Sequence, residues 1–247
     1  MDIIAIANQK GGAGKTSTAA ALWYWLNSHE KPTLAIDLDA QANLTYTAGA
    51  SMEGLSIFHI LQGQNINKAI QTVTGGDIIP ASYELNGADI ALSGKPKALK
   101  TALSKLSKQY EYVILDTEPH LGALSVNALT AAHRVIIPTQ ADIFSLQGIK
   151  QIWRNIKEIR QRGLNPSLKV DGLLITRYSN RATLSKEMRE LLETTARKME
   201  TKVYQATIRE AVAVKESQVC KTSVFDMTPP SKVIADYEAF ISEVLKG

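Results

Sequence analysis

Five short apolar runs punctuate the chain, "IIAIAN" (3–8), "PTLAID" (32–37), "YVILD" (112–116), "RVIIPT" (134–139) and "KVDGLLIT" (169–176). They lack the polar alternation of a half-exposed strand and suit strands buried on both faces, as in a parallel sheet covered by helices. Between them, residues 16–29, 96–109, 121–132, 145–162 and 184–199 carry helical periodicity. The repeated strand–helix unit predicts an α/β fold, a doubly wound, mostly parallel sheet flanked by helices, with its working edge at the carboxyl ends of the strands. "DIIPAS" (77–82) predicts a further strand, whereas residues 45–76, rich in Gly, Asn and Gln, show no clear period. No internal repeat or long linker interrupts the pattern, so a single domain over 1–247 is expected. At the end of the chain, Val233, Ile234, Tyr237, Phe240, Ile241, Val244 and Leu245 fall at helical spacing after Pro229 and Pro230, which predicts a terminal helix packed on the core.

Composition adds exclusions. The chain is 45% hydrophobic and 21% charged, ordinary globular values. No run approaches the roughly 18–20 uncharged apolar residues of a membrane helix, and Ile3 opens the first strand with no basic leader before it, so a soluble, cytoplasmic protein is expected. Cys220 is the single cysteine and is expected as a buried or partly buried structural thiol; with four scattered histidines, no zinc or iron–sulfur spacing exists. A formal charge of +4 is only a mild bias towards polyanions.

The candidate chemistry begins behind the first strand. "NQKGGAGKTS" (8–17) is a glycine-rich turn between a strand and a helix, the setting in which backbone N–H groups and a helix N-terminus cradle phosphates. In that setting Lys15 reaches the β and γ phosphates and the Thr16 hydroxyl ligates magnesium. The standard P-loop would have glycine at position 9, where this chain has Gln9. Two carboxylates, Asp37 and Asp39, stand two apart where the second strand gives way to a loop, and period two directs both to one face. Asp116 ends the hydrophobic strand "YVILD", the position from which a carboxylate holds magnesium through water.

"KGGAGKT" (10–16) resembles the deviant Walker A motif of the ParA/MinD ATPases, with its additional lysine near the start of the loop. The resemblance implies P-loop NTPase chemistry with ATP and Mg2+, nucleotide contacts from Lys10, Gly11, Gly12, Ala13, Gly14, Lys15, Thr16 and Ser17, and a Lys10 that crosses to the nucleotide of a partner subunit. "DLDAQAN" (37–43) resembles the family's D-x-D-P-Q-x-N, which gives Asp39 the attacking water and leaves Asp37 as a more distant partner of magnesium or of the P-loop; Ala40 and Ala42 stand where proline and glycine are common. The catalytic set implied is therefore Lys10, Lys15 and Asp39, and the metal set Thr16, Asp37 and Asp116. "DTEPHLG" (116–122) resembles D-x-P-P-x-L-G with Glu118 for the first proline, a charge that either tunes hydrolysis or faces solvent, and His120 in this loop reads as a surface residue. "VIIPTQADIFSLQGIKQI" (135–152), with Asp142 one place off the usual acid, and "LLITRYSNRATLSKEM" (173–188) extend the match, which runs from Ile3 to about Phe225.

These matches identify a resemblance to ParA/Soj-type ATPases, the short form without an N-terminal DNA-reading domain. Relatives diverge in what they hold: nonspecific DNA as ATP dimers, membrane, electrons or arsenite. The last two need cysteines this chain lacks. Membrane attachment uses a basic amphipathic terminal helix, whereas the helix here carries Asp236, Glu238 and Glu243, which repel anionic lipid. DNA is favoured by basic clustering: Lys95, Lys97, Lys100, Lys105 and Lys108 in one segment, and Lys150, Arg154, Lys157, Arg160 and Arg162 in another. The family's C-terminal DNA segment N-V-R-L-x-E-A matches a stretch with Ala213 at the arginine and Arg209, Lys215 and Lys221 nearby. The resemblance implies a DNA-segregation ATPase, dimeric with ATP and nucleoid-associated, with weak basal turnover stimulated by a ParB-like centromere-binding partner. The alternatives are a relative that positions a protein complex or serves conjugation or regulatory machinery without DNA, and a membrane-cycling one of the MinD kind.

Overall fold

The computed structural model describes residues 1–178 and 184–246. Eight strands form one sheet in the order β3-β4-β2-β5-β1-β6-β7-β8. They are β1 (Asp2–Ile6), β2 (Thr33–Leu38), β3 (Gln71–Val73), β4 (Gly76–Ile79), β5 (Tyr112–Thr117), β6 (Arg134–Gln140), β7 (Lys169–Tyr178) and β8 (Val203–Arg209). All neighbours pair in parallel except β3 and β4, which form an antiparallel edge hairpin.

The unbroken apolar runs are explained by burial on both faces. Along β1, Ile3 and Ala5 enter one core while Ile4 and Ile6 enter the other; along β5, Val113 and Leu115 take the first side and Ile114 the second. One face is covered by α3 (Ile57–Leu61), α4 (Ala88–Ala91), α5 (Ala98–Leu103), α6 (Ala123–Ala131), α7 (Ser145–Gln161) and α8 (Leu184–Lys198). The other is covered by α1 (Lys15–Ser28), α2 (Asn43–Ala48) and α10 (Val233–Lys246). The short α9 (Val212–Val219) lies against α2 at the carboxyl edge of the sheet. In α10, Val233, Tyr237, Phe240, Ile241 and Val244 are buried against the core and β8, so the apolar face of this helix is already covered. Among the described residues no helix is long and apolar enough to cross a membrane.

The differences from the sequence pattern have local causes. The helix expected over 96–109 is only Ala98–Leu103, because the Asn67 side chain captures the following backbone, donating to the Lys105 carbonyl (2.9 Å) and accepting from the Ser107 N–H (2.8 Å). The strand expected over 77–82 stops at Ile79, ahead of Pro80, which has no N–H to continue the ladder. Strands β3 and β8 are edge strands with mixed burial and lack the apolar run by which the central strands are recognised. Cys220, expected to be at least partly buried, is exposed.

Candidate functional site

The carboxyl ends of β1, β2, β5 and β7 surround one cleft of about 600 Å³, lined by Gly11, Gly12, Gly14, Lys15, Thr16 and Ser17 on one side and by Asp39, Gln41 and Asn43 on another. The glycine-rich turn is held by the polar ends of neighbouring strands: the Thr176 hydroxyl donates to the Ala13 carbonyl (2.9 Å) and the Gln140 amide to that of Gly12 (3.1 Å). Gly14 precedes α1 at φ 89°, a left-handed conformation, and a Cβ there would stand 3.3 Å from Thr176. A side chain at this position is therefore opposed both by the backbone and by its neighbour. The first turn of α1 carries no acidic residue, which leaves its N-terminus free to attract an anion.

Lys15 is buried at the floor of the cleft. Burial lowers the pKa of its ammonium, and the nearby carboxylates of Asp116, Asp39 and Glu118 only partly restore it. Asp116 and Asp37 are paired across β5 and β2, and both are fully buried. Among the described residues, neither oxygen of Asp116 has a hydrogen-bond partner. Burial and the adjacent Asp37 push Asp116 well above the usual carboxylate range, against the pull of Thr16 and Lys15. A buried carboxylate without partners, beside a threonine hydroxyl and below an anion-binding turn, is a fit for a hydrated divalent cation.

Asp37 is different. Its Oδ2 accepts from the Thr45 N–H and hydroxyl (both 2.8 Å), and its Oδ1 accepts from the Asp39 N–H (3.1 Å). Thr45 in turn accepts from the Ala81 N–H (2.9 Å). Burial raises the Asp37 pKa to about 6 in spite of those bonds. Its oxygens thus organise the loop between β2 and α2, which suits a carboxylate that stands behind the cation site rather than in direct contact with it. Asp39 stands on that loop at the cleft and caps the Gln41 N–H (2.9 Å). Ala42, buried, follows at φ 52°, which explains why glycine would suit the position. Glu118 is half-buried; burial, then Asp39 and Asp89, lift its pKa to about 7 against Lys15. Its carboxyl therefore lies within electrostatic reach of Asp39 and Lys15. His120 lies at the surface, 3.8 Å from Asp89.

Lys10, the second lysine of the turn, points away from Lys15. Its Nζ donates to Asp142 (2.5 Å), Ser145 (3.0 Å) and Gln140 (3.2 Å), all from the end of β6 and the start of α7. Burial opposes the ionised form of Asp142, but the bonds from Lys10 and Ser145 hold its carboxyl below the usual range. Gly148 lets α7 approach this closely, since a Cβ there would meet the Asn8 side chain at 2.7 Å.

The basic candidates separate into groups. Lys95, Lys97 and Lys100 are exposed around the start of α5 and are not among the residues lining the cleft. Arg209 forms a bidentate pair with Asp236 (both 2.6 Å). Lys221 lies over the Tyr46 ring, 4.7 Å from its centre, and Lys215 lines the cleft itself. Arg177 also lines the cleft, although nothing in its sequence context marks it. Residues 179–183 of the matched stretch 173–188 lie outside the described residues.

A family model described as an AAA domain matches residues 1–170. The Thermus thermophilus protein named chromosome-partitioning ATPase Soj is 35% identical over 242 residues, covering 98% of this chain and 94% of that protein. Among solved structures, Mycobacterium smegmatis cobyrinic acid a,c-diamide synthase with bound ADP and magnesium has a TM-score of 0.84 at 33% identity, covering 100% of this chain and 94% of that one. A putative plasmid partition protein from Borrelia burgdorferi bound to AMPPNP has a TM-score of 0.82 at 29% identity, covering 99% and 98%.

Proposed function

The chain belongs to the ParA/MinD superfamily of P-loop ATPases, and we propose that within it this protein is a partitioning ATPase that binds and hydrolyses ATP with Mg2+. The observation that carries the reading is the floor of the cleft, where buried Lys15 and the partnerless buried Asp116 meet under the glycine-rich turn. The turn's N–H groups and Lys15 take the phosphates, Thr16 and Asp116 hold the cation, and Asp39 orients water for attack on the γ-phosphate. The bound cation would neutralise charge on the β and γ oxygens.

In this reading Lys10 is a switch between two partners. In one protomer it is engaged by Asp142, Ser145 and Gln140; in an ATP-bound dimer it exchanges them for the nucleotide of the other subunit. Hydrolysis therefore waits for dimerisation, and a ParB-like partner accelerates it. The closed dimer binds DNA without sequence preference, which agrees with the exposed Lys95, Lys97 and Lys100. Arg209 is a poor DNA contact because Asp236 already neutralises it.

Co-sedimentation with duplex DNA tests this function. Binding is expected only with ATP, at any sequence, weakening steeply as salt rises. Asp39→Ala is expected to accumulate on DNA with ATP, and Lys10→Ala to remain monomeric and unbound. Binding that is indifferent to ATP, or a Lys10→Ala protein that dimerises like wild type, contradicts the proposal. Capture by anionic vesicles in place of DNA would favour the membrane-cycling alternative.

A further inference from the structure

Two cavities meet at the carboxyl edge of the sheet. The larger is the cleft described above; a smaller one of about 90 Å³ continues from it between the ends of β7 and β8 and α9. Gly14, Ser17, Arg177, Lys215 and Gln218 line both and so mark the junction. Beyond the junction the smaller cavity is walled by Ile208, Ala211, Val214 and Tyr237, with Arg209 and Glu210 at its edge, a mixed surround in which apolar side chains could face a ring.

A nucleotide seated on the turn has its β and γ phosphates at Lys15 and the cation site, which leaves the α-phosphate and the sugar at this junction. Two cations already stand there. Arg177 Nη1 lies 3.9 Å from the point a Cβ on Gly12 would occupy, so its guanidinium overhangs the turn. Its backbone is held at φ 50°, a left-handed conformation that a long side chain rarely adopts. Strain of this kind persists where the surrounding structure imposes it, and here it directs a cation towards an anion site. Lys215 comes from the opposite wall, on α9, which is fastened to the first turn of α1 by a bond from the Gln218 amide to the Ser17 hydroxyl (3.2 Å).

We propose that Arg177 and Lys215 are nucleotide ligands acting within one protomer, gripping the α-phosphate and sugar portion common to ADP and ATP. Lys215 thus serves the nucleotide and not DNA, and α9 is the wall that a bound nucleotide pins in place. The assignment rests on the cleft being the nucleotide site. It also distinguishes two kinds of cation in the protein: Lys10 acts on a partner's triphosphate, whereas this pair does not discriminate between di- and triphosphate.

Calorimetric titration with Mg-ADP and with Mg-ATP tests it on wild type, Arg177→Ala, Lys215→Ala and Lys215→Arg. Each alanine variant is expected to bind both nucleotides about tenfold more weakly, by the same factor, as befits loss of one charge-assisted contact. Lys215→Arg is expected to recover most of the loss. At saturating ATP, Lys215→Ala is expected to co-sediment with DNA as wild type does. Alanine variants that bind ADP like wild type, or a Lys215→Ala protein that loses DNA while binding nucleotide normally, overturn the assignment. A folded wild type that takes up no nucleotide overturns the reading of the cleft itself, a result separable from either of those.

Discussion

The floor and the far wall of the cleft are built by different means. The floor, at the ends of β1, β2 and β5, is made of residues close to one another in sequence or paired in register, with its charges buried and its carboxylates crowded. The wall, formed by the ends of β7 and β8 and by α9, is made of exposed cations brought in from distant parts of the chain. Buried charge gives strong, specific interaction at a cost in stability, whereas exposed charge adjusts affinity modestly. Substitutions on the floor should therefore act as losses of function, and substitutions on the wall as changes of degree.

Lys15→Ala should show the largest effect. It removes the cation beside the buried Asp116, so nucleotide binding should fall by at least about a hundredfold, in line with the 3–5 kcal/mol typical of breaking a buried charge constellation. If the loss measured by titration is no greater than that of the wall variants, the contrast between floor and wall is broken.

A second effect concerns stability away from the cleft. Asp77, buried at the edge hairpin, accepts from Lys108 (2.7 Å), Tyr110 (2.6 Å) and Thr72 (2.7 Å). Burial opposes its ionisation, but those bonds outweigh it and its pKa lies below the usual value. Its ionised form is therefore favoured by folding, so this stabilisation is present above the unfolded pKa near 4 and is lost as pH falls through the lower folded value. Asp77→Ala is expected to cost about 1–3 kcal/mol at pH 7 in denaturant melts and to flatten the acid limb of stability against pH. An unchanged acid limb would contradict it.

The smallest effect is expected at Ala42. Glycine would relieve about 1–2 kcal/mol of left-handed strain, but it would lose a buried methyl worth about 0.8 kcal/mol and gain freedom when unfolded. Ala42→Gly should leave stability unchanged within about 1 kcal/mol, which accounts for the chain's tolerance of alanine there. A larger shift in the unfolding midpoint would mean that one of these terms dominates.

The floor was legible in the sequence because its geometry is local. A strand, a glycine turn and a helix place Gly14, Lys15 and Thr16 wherever the rest of the chain lies, and the strand ends fix Asp116 opposite Asp37. The inner role of Asp37 was not legible, because it depends on Thr45 and Ala81 folding back to it. The surroundings of the wall were not legible for the same reason. Lys215 looks like any solvated lysine until α9 docks beside α1, and Arg209 looks available until Asp236, from another helix, reaches it. The contact between Lys10 and Asp142 was likewise hidden, since 132 residues separate the two.

The most direct test of the account is calorimetric titration of the folded protein with ATP, with and without magnesium. One nucleotide per chain, bound much more tightly with the metal and lost in Lys15→Ala, is the predicted result. Absence of heat from well-folded protein in the presence of magnesium would contradict it.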